Sequence, residues 1–174
     1  DHPVVRRGMA GVINLEDDLN VCGEASNAGE AKEAVRELHP DLALIDLSLG
    51  EDSGLELIKD LKAEHEDLSM LVVSIHDESL FAERVLTAGA KGYITKQAAL
   101  DHIVEAVQQV LKGKIYLSPE MSNRMLHQMA SGVKPGEQSP LERLSDRELE
   151  VYRMLGEGKG TREIAKNLHL SMKT

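Results

Sequence analysis

Residues 41–50 read DLALIDLSLG. Leu42, Ala43, Leu44 and Ile45 form a short apolar run that ends on a carboxylate, Asp46. A run of this length and content predicts a buried strand, of the kind that parallel sheets are built from. A buried charge is costly unless it is paired. In open parallel sheets, however, ligands bind outside the carboxyl ends of the strands, so a carboxylate placed there faces a crevice. The stretch therefore predicts a parallel sheet with a polar site at the tip of one strand.

The flanking sequence repeats the pattern. NVCGEA (20–25), LSMLVVSI (68–75) and KGYIT (91–95) read as further strands, with Cys22 as a small apolar residue of the first. AGEAKEAVREL (28–38), SGLELIKDLKAE (53–64), DESLFAERVLTAG (77–89) and AALDHIVEAVQQVLKG (98–113) have helical spacing. In the last of these Leu100, Ile103, Val104, Val107, Val110 and Leu111 share a face. HPVVRRGMAGVI opens the chain as a helix, with Val5, Met9, Val12 and Ile13 on one side and no strand before it. Alternating strands and helices predict an α/β, doubly wound parallel sheet covered on both faces.

After Gly113 the texture changes. A turn at Ser118 and Pro119 leads into a short helix, and SGVKPGEQSP (131–140) lacks any apolar period and reads as a linker. In LSDRELEVYRMLGEG, Ser145 followed by Glu148 predicts a capping box, with Val151, Met154 and Leu155 facing inward. TREIAKNLHLS repeats the logic, with Thr161 as cap and Ile164, Ala165 and Leu168 inward. Two short helices joined by a glycine-containing turn begin a helix-turn-helix, a second, small all-α unit. The expected boundaries are 1–117 for the sheet domain, 118–140 for the linker with its helix, and 141–174 for the helical unit.

The net charge of −10 is uneven. Residues 1–112 carry 22 acidic against 10 basic side chains, whereas residues 141–174 carry 6 against 7. An acidic body repels nucleic acid, so contact with a polyanion belongs to the C-terminal end. The single cysteine excludes an internal disulfide framework. No apolar run reaches membrane-spanning length and no secretory leader is evident, which predicts a cytoplasmic protein. Phosphate-loop and dinucleotide fingerprints are absent, and the histidines lack zinc-ligand spacing.

Three further residues fall at strand or helix ends where they can converge with Asp46: Asp1, Ser74 and Lys96. Together they suit phosphoryl transfer. A carboxylate can attack phosphorus, hard cations such as Mg²⁺ need one or two carboxylates, and a hydroxyl and a lysine can hold phosphoryl oxygens. In order and spacing, DHPVVRRG, DLALIDLSLGEDSGLELI, VVSIHD, AGAKGYITK and LSDRELEVYRMLGEGKGTREIAKNLHLSMKT resemble the two-component response regulators of NarL/LuxR type, over nearly the whole chain. The resemblance implies a flavodoxin-like receiver and a LuxR-type helix-turn-helix domain. It implies that Asp46 is the phosphoacceptor, that Asp1, Asp46 and the backbone carbonyl of Ser48 bind Mg²⁺ or Mn²⁺, and that Ser74 and Lys96 engage the phosphoryl group. Tyr93 would be the aromatic whose rotamer reports the switch; without the family it reads equally as a tyrosine half-packed at a sheet edge. His76 and Ser48 would border the phosphoryl site and tune its lifetime, although His76 reads equally as a solvent-facing loop residue. The implied partners are a sensor histidine kinase or small phosphodonor, DNA, and a second copy of the chain.

Gly50 and Gln97 stand where many receivers carry proline, so a cis bond between Lys96 and Gln97 is not expected. The family also has a hydrophobic first strand ending in an acidic pair, and this chain opens at the second acid, Asp1. The recognition helix would begin at Ser171, leaving Lys173 and Thr174 as the DNA-contacting candidates, with Lys159, Arg162 and Lys166 nearby. The chain is thus expected to be truncated at both ends, lacking the first strand of its sheet, and to bind DNA weakly or not at all. Two other functions were weighed. A phosphohydrolase of haloacid-dehalogenase type needs a second acid two residues after its nucleophile, where this chain has Ser48. A pseudo-receiver acting as a phosphorylation-independent interaction or dimerisation module remains the alternative.

Overall fold

The computed structural model describes residues 3–49, 52–131 and 144–168. Asp1, Gly50, residues 132–140 of the anticipated linker, Ser171, Lys173 and Thr174 lie outside the described residues. Contacts divide the chain into two compact units, 1–121 and 122–174.

The first unit runs α1 (Pro3–Ile13), α2 (Ala28–Leu38), β1 (Leu42–Ile45), β2 (Ser48–Leu49), β3 (Asp52–Ser53), α3 (Gly54–Glu64), β4 (Ser69–Ser74), α4 (Glu78–Ala88), β5 (Gly92–Thr95) and α5 (Lys96–Leu111). The helix α6 (Pro119–Ser131) follows. Strands β1, β4 and β5 form a parallel sheet in that order. β4 lies between the other two and is buried at every position, which is why MLVV reads as an unbroken apolar run. Successive side chains alternate faces. Leu71, Val73 and Ile94 pack with Ile103 and Val107 of α5 and Ile13 of α1. Met70, Val72 and Tyr93 point the other way, toward the layer where Leu57, Ile58 and Leu61 of α3 and Phe81, Ala82 and Val85 of α4 are buried. Each such side chain contributes about 1.5–3 kcal/mol relative to an exposed one.

Several expectations differ from the structure. Residues 20–25 are not a strand. A cavity of about 570 Å³ separates them from β1, lined by Val21, Cys22, Ala43, Ile45, Met9 and Leu61 among others. A strand exists only as a member of a ladder, and across this gap none forms; the Val21 N–H instead donates to Asn14 Oδ1 at 2.8 Å. Cys22 is accordingly exposed. Leu100 departs from its predicted helix face and is 74% exposed, while Ala99, Ile103, Ala106 and Val110 are buried. The β2–β3 hairpin was not anticipated: Ser48 pairs with Ser53 and Leu49 with Asp52.

In the second unit, α7 (Asp146–Gly156) and α8 (Thr161–Asn167) pack through Met154, Ile164 and Leu168, with Val151 alongside. The capping box is present as predicted, whereas Leu155, expected to face inward, is exposed. The cap of α8 is Gly160 rather than Thr161, which becomes the first helical residue. Among the described residues no helix is long and apolar enough to cross a membrane.

Candidate functional site

The carboxyl ends of the sheet strands meet at one edge. Asp46 follows β1, Ser74 closes β4, and Lys96 opens α5 directly after β5. Register brings these ends level, with Ile45 opposite Val72 and Ser74 opposite Thr95. Thr95 caps α5 by accepting the Ala98 N–H, which fixes where Lys96 leaves the sheet. Lys96 Nζ lies 2.6 Å from Asp46 Oδ2, and the two side chains are only 13% and 11% exposed. Little water is left to screen them, so their attraction is stronger than in a surface ion pair, set against the cost of desolvating both charges.

The other carboxylate oxygen, Asp46 Oδ1, accepts the Ser48 N–H at 3.0 Å, the side-chain-to-backbone turn that aspartate favours. Behind it Gly54 opens α3, and a Cβ there would come within 2.4 Å of the Asp46 carbonyl oxygen. Glycine is required because the helix starts against the backbone of the carboxylate strand.

Ser74 is fully buried and its Oγ accepts the His76 N–H at 3.2 Å. Tyr93 is fully buried as well, not half-packed at an edge. Its hydroxyl donates to the His76 carbonyl at 2.9 Å. Burial pushes the phenol well above its ordinary range, with the Ser74 hydroxyl offsetting part of the effect. His76 therefore joins three groups through its backbone and ring. The ring nitrogen Nε2 is 3.0 Å from Ser48 Oγ, and the ring tilts onto Phe81 at 5.4 Å. This rules out a freely solvated histidine. Sequence reading named Ser48 and His76 as neighbours of the site but not their mutual contact, since 28 residues separate them.

Asp1 lies outside the described residues, so the structure brings together Asp46, Ser48, Ser74, Tyr93 and Lys96. Among the described residues no group of three or more His, Cys, Asp or Glu side chains is gathered around a metal-sized space. The donor at hand among the described residues is the Asp46 carboxylate. It suits Mg²⁺, which keeps several waters and takes one or two carboxylates.

Residues 1–108 match the family described as the response regulator receiver domain, and residues 142–174 match bacterial regulatory proteins of the luxR family. The chain belongs to the response regulators. It pairs a receiver with a LuxR-type DNA-binding domain, and its relatives are transcription regulators. The oxygen regulatory protein NreC of Staphylococcus carnosus is 33% identical over 178 residues, covering 100% of this chain and 82% of that protein. The response regulator GacA of Pseudomonas protegens is 33% identical over 174 residues, covering 100% of this chain and 80% of that protein. Among solved structures, RcsB of Salmonella enterica bound to a promoter with the phosphomimetic BeF3⁻ superimposes with a TM-score of 0.70 at 28% identity, covering 99% of this chain and 81% of that one. A LuxR-family regulator from Aurantimonas reaches 0.69 at 32% identity, covering 75% of this chain and 93% of that one. Receiver domains as a class bind Mg²⁺ at the phosphorylation site.

Proposed function

We propose that Asp46 is the phosphoacceptor of this regulator and that Ser74, Lys96 and Tyr93 convert its phosphorylation into a change of shape. The observation that carries the reading is the 2.6 Å pair between Lys96 and Asp46, desolvated at the ends of β1 and β5, the two strands that flank β4. A carboxylate oxygen of Asp46 attacks the phosphorus of a phosphohistidine or small phosphodonor, forming an acyl phosphate as the bond to the donor's leaving group breaks. Lys96 holds a phosphoryl oxygen, and the Ser74 hydroxyl turns toward another. Asp1, Asp46 and the Ser48 carbonyl would hold Mg²⁺ or Mn²⁺, which when bound neutralises charge on the transferred group. Hydrolysis of the acyl phosphate is the only catalysis assigned, a slow self-dephosphorylation governed by Ser48 and His76.

On this reading the protein works in the cytoplasm with a sensor histidine kinase. The receiver spans 1–117, the linker 118–140 and the DNA-binding unit 141–174, acting as a homodimer with Lys173 and Thr174 toward DNA. The test is intact mass after incubation with a small phosphodonor and Mg²⁺, for the native chain beside Asp46→Asn. One phosphoryl adduct in the first and none in the second is expected. No adduct in the native chain would sink the phosphoacceptor and favour the phosphorylation-independent interaction module.

A further inference from the structure

Residues 114–121, which lead from α5 into α6, are tied to the receiver at two places. The first is the edge of β5. Tyr116 bridges Gly92 in parallel fashion: its carbonyl accepts the Tyr93 N–H at 2.9 Å, and its N–H donates to the Lys91 carbonyl at 3.0 Å. Gly92 permits this approach, because a Cβ there would lie 2.9 Å from the Tyr116 carbonyl oxygen and 2.9 Å from Leu71 Cδ1. The second tie is to the start of α4. The Ser118 N–H donates to Glu78 Oε1 at 2.9 Å, and Ser118 Oγ in turn accepts the Met121 N–H at 3.1 Å, capping α6. Met121 is buried at 4% exposure, so the first turn of α6 is seated on the same body.

The two ties differ in what they are attached to. Tyr116 is paired with β5, a strand of the sheet. Glu78 is the first residue of α4, directly after the short loop 75–77 that follows Ser74 and carries His76, whose carbonyl accepts the Tyr93 hydroxyl. Ile75 in that loop is 62% exposed, so little packing restrains it. A shift of Ser74 toward Asp46 therefore moves Glu78 relative to Ser118, while Tyr116 stays paired with β5. Glu78 also faces the Tyr93 and Tyr116 phenols, adding its charge to the burial that raises both.

We propose that residues 114–121 form an output strap whose Glu78 clasp on Ser118 is released when Asp46 is phosphorylated, loosening the cap of α6 while the Tyr116 pairing holds. This rests on the assignment of Asp46 as phosphoacceptor. The charge-assisted hydrogen bond at Ser118 is the element with two arrangements, and the phosphoryl group biases it by recruiting the Ser74 hydroxyl.

Backbone amide exchange of the full chain, before and after treatment with phosphodonor and Mg²⁺, tests the strap, with intact mass reporting the adduct in the same samples. Phosphorylation is expected to speed exchange at the Ser118 and Met121 amides about tenfold, the scale of one charged hydrogen bond, and to leave Tyr116 unchanged. Glu78→Ala should show the fast exchange without phosphodonor, and Glu78→Gln, which retains an acceptor oxygen, should restore protection. Gly92→Ala is the second variant: its methyl presses on the Tyr116 carbonyl and should loosen Tyr116 and Ser118 together. An adduct with unchanged exchange at Ser118 overturns the strap alone. Absence of an adduct overturns the phosphoacceptor assignment, and the strap falls with it.

Discussion

His76 is the residue whose side chain and backbone do the most separate work around Asp46. Its N–H reaches Ser74, its carbonyl receives the Tyr93 hydroxyl, and its ring closes against Ser48 across the mouth of the site. Truncation to alanine preserves the backbone contacts and removes only the ring. The Ser48–His76 hydrogen bond then disappears and water gains access to the phosphorus of an acyl phosphate. A hydrogen bond of this kind is worth about 1 kcal/mol net, which in a barrier is about fivefold in rate. His76→Ala is thus expected to lose its phosphoryl group about fivefold faster than the native chain, followed by loss of adduct mass after the phosphodonor is removed. Decay at the native rate would show that the ring does not guard the site. That Ser48 and His76 lie beside Asp46 was legible in the sequence through their positions in recognised motifs. Their contact was not, because the loops after β1 and β4 are joined only by folding.

At the scale of elements, local signals decided how much could be read. The capping box of α7 needs only Ser145 and Glu148, and it formed as written: the Ser145 N–H donates to Glu148 Oε2 at 2.8 Å. These donors hold the Glu148 carboxyl below its ordinary value of 4.5. A carboxylate depressed on folding contributes stability above its unfolded value, and that contribution is lost as pH falls through the lower folded value. The Ser145 amide resonance is therefore expected to stay constant above about pH 4.5 and to shift only in more acid solution. In Glu148→Gln it should not move over that range; an equal shift in both proteins would assign it to another group. By contrast, NVCGEA had every local mark of a strand and is not one, because a strand depends on its neighbour. Gly160, with no side chain to signal a cap, was passed over for Thr161 for the opposite reason: Thr161 looks like a cap and lies one position inside the helix.

For the molecule as a whole, the parallel sheet and the placing of Asp46, Ser74 and Lys96 at strand ends followed from alternating strands and helices with polar residues where the strands stop. A cavity lies beside β1. That cavity sets how stability is distributed through the receiver unit. β4 has a strand on each side and is buried throughout, whereas β1 pairs with β4 on one side and has the cavity on the other. Residues 20–25 lie beyond the cavity, outside any ladder, with Glu24 exposed and held by the Arg6 guanidinium at 2.8 Å. A partly exposed ion pair of this sort adds at most about 1 kcal/mol and cannot substitute for ladder hydrogen bonds. Local opening is cheapest where buried apolar contacts and backbone pairing are fewest, and protease cuts where opening is cheapest. A glutamate-specific protease is accordingly expected to cleave the receiver unit after Glu16 and Glu24 well before it cleaves after Glu56, Glu64 or Glu83, as peptide mass mapping over a time course would record. First cleavage within α3 or α4 would mean that the segment across the cavity is held more firmly than its contacts imply, and that the weak edge of this receiver lies on its other face.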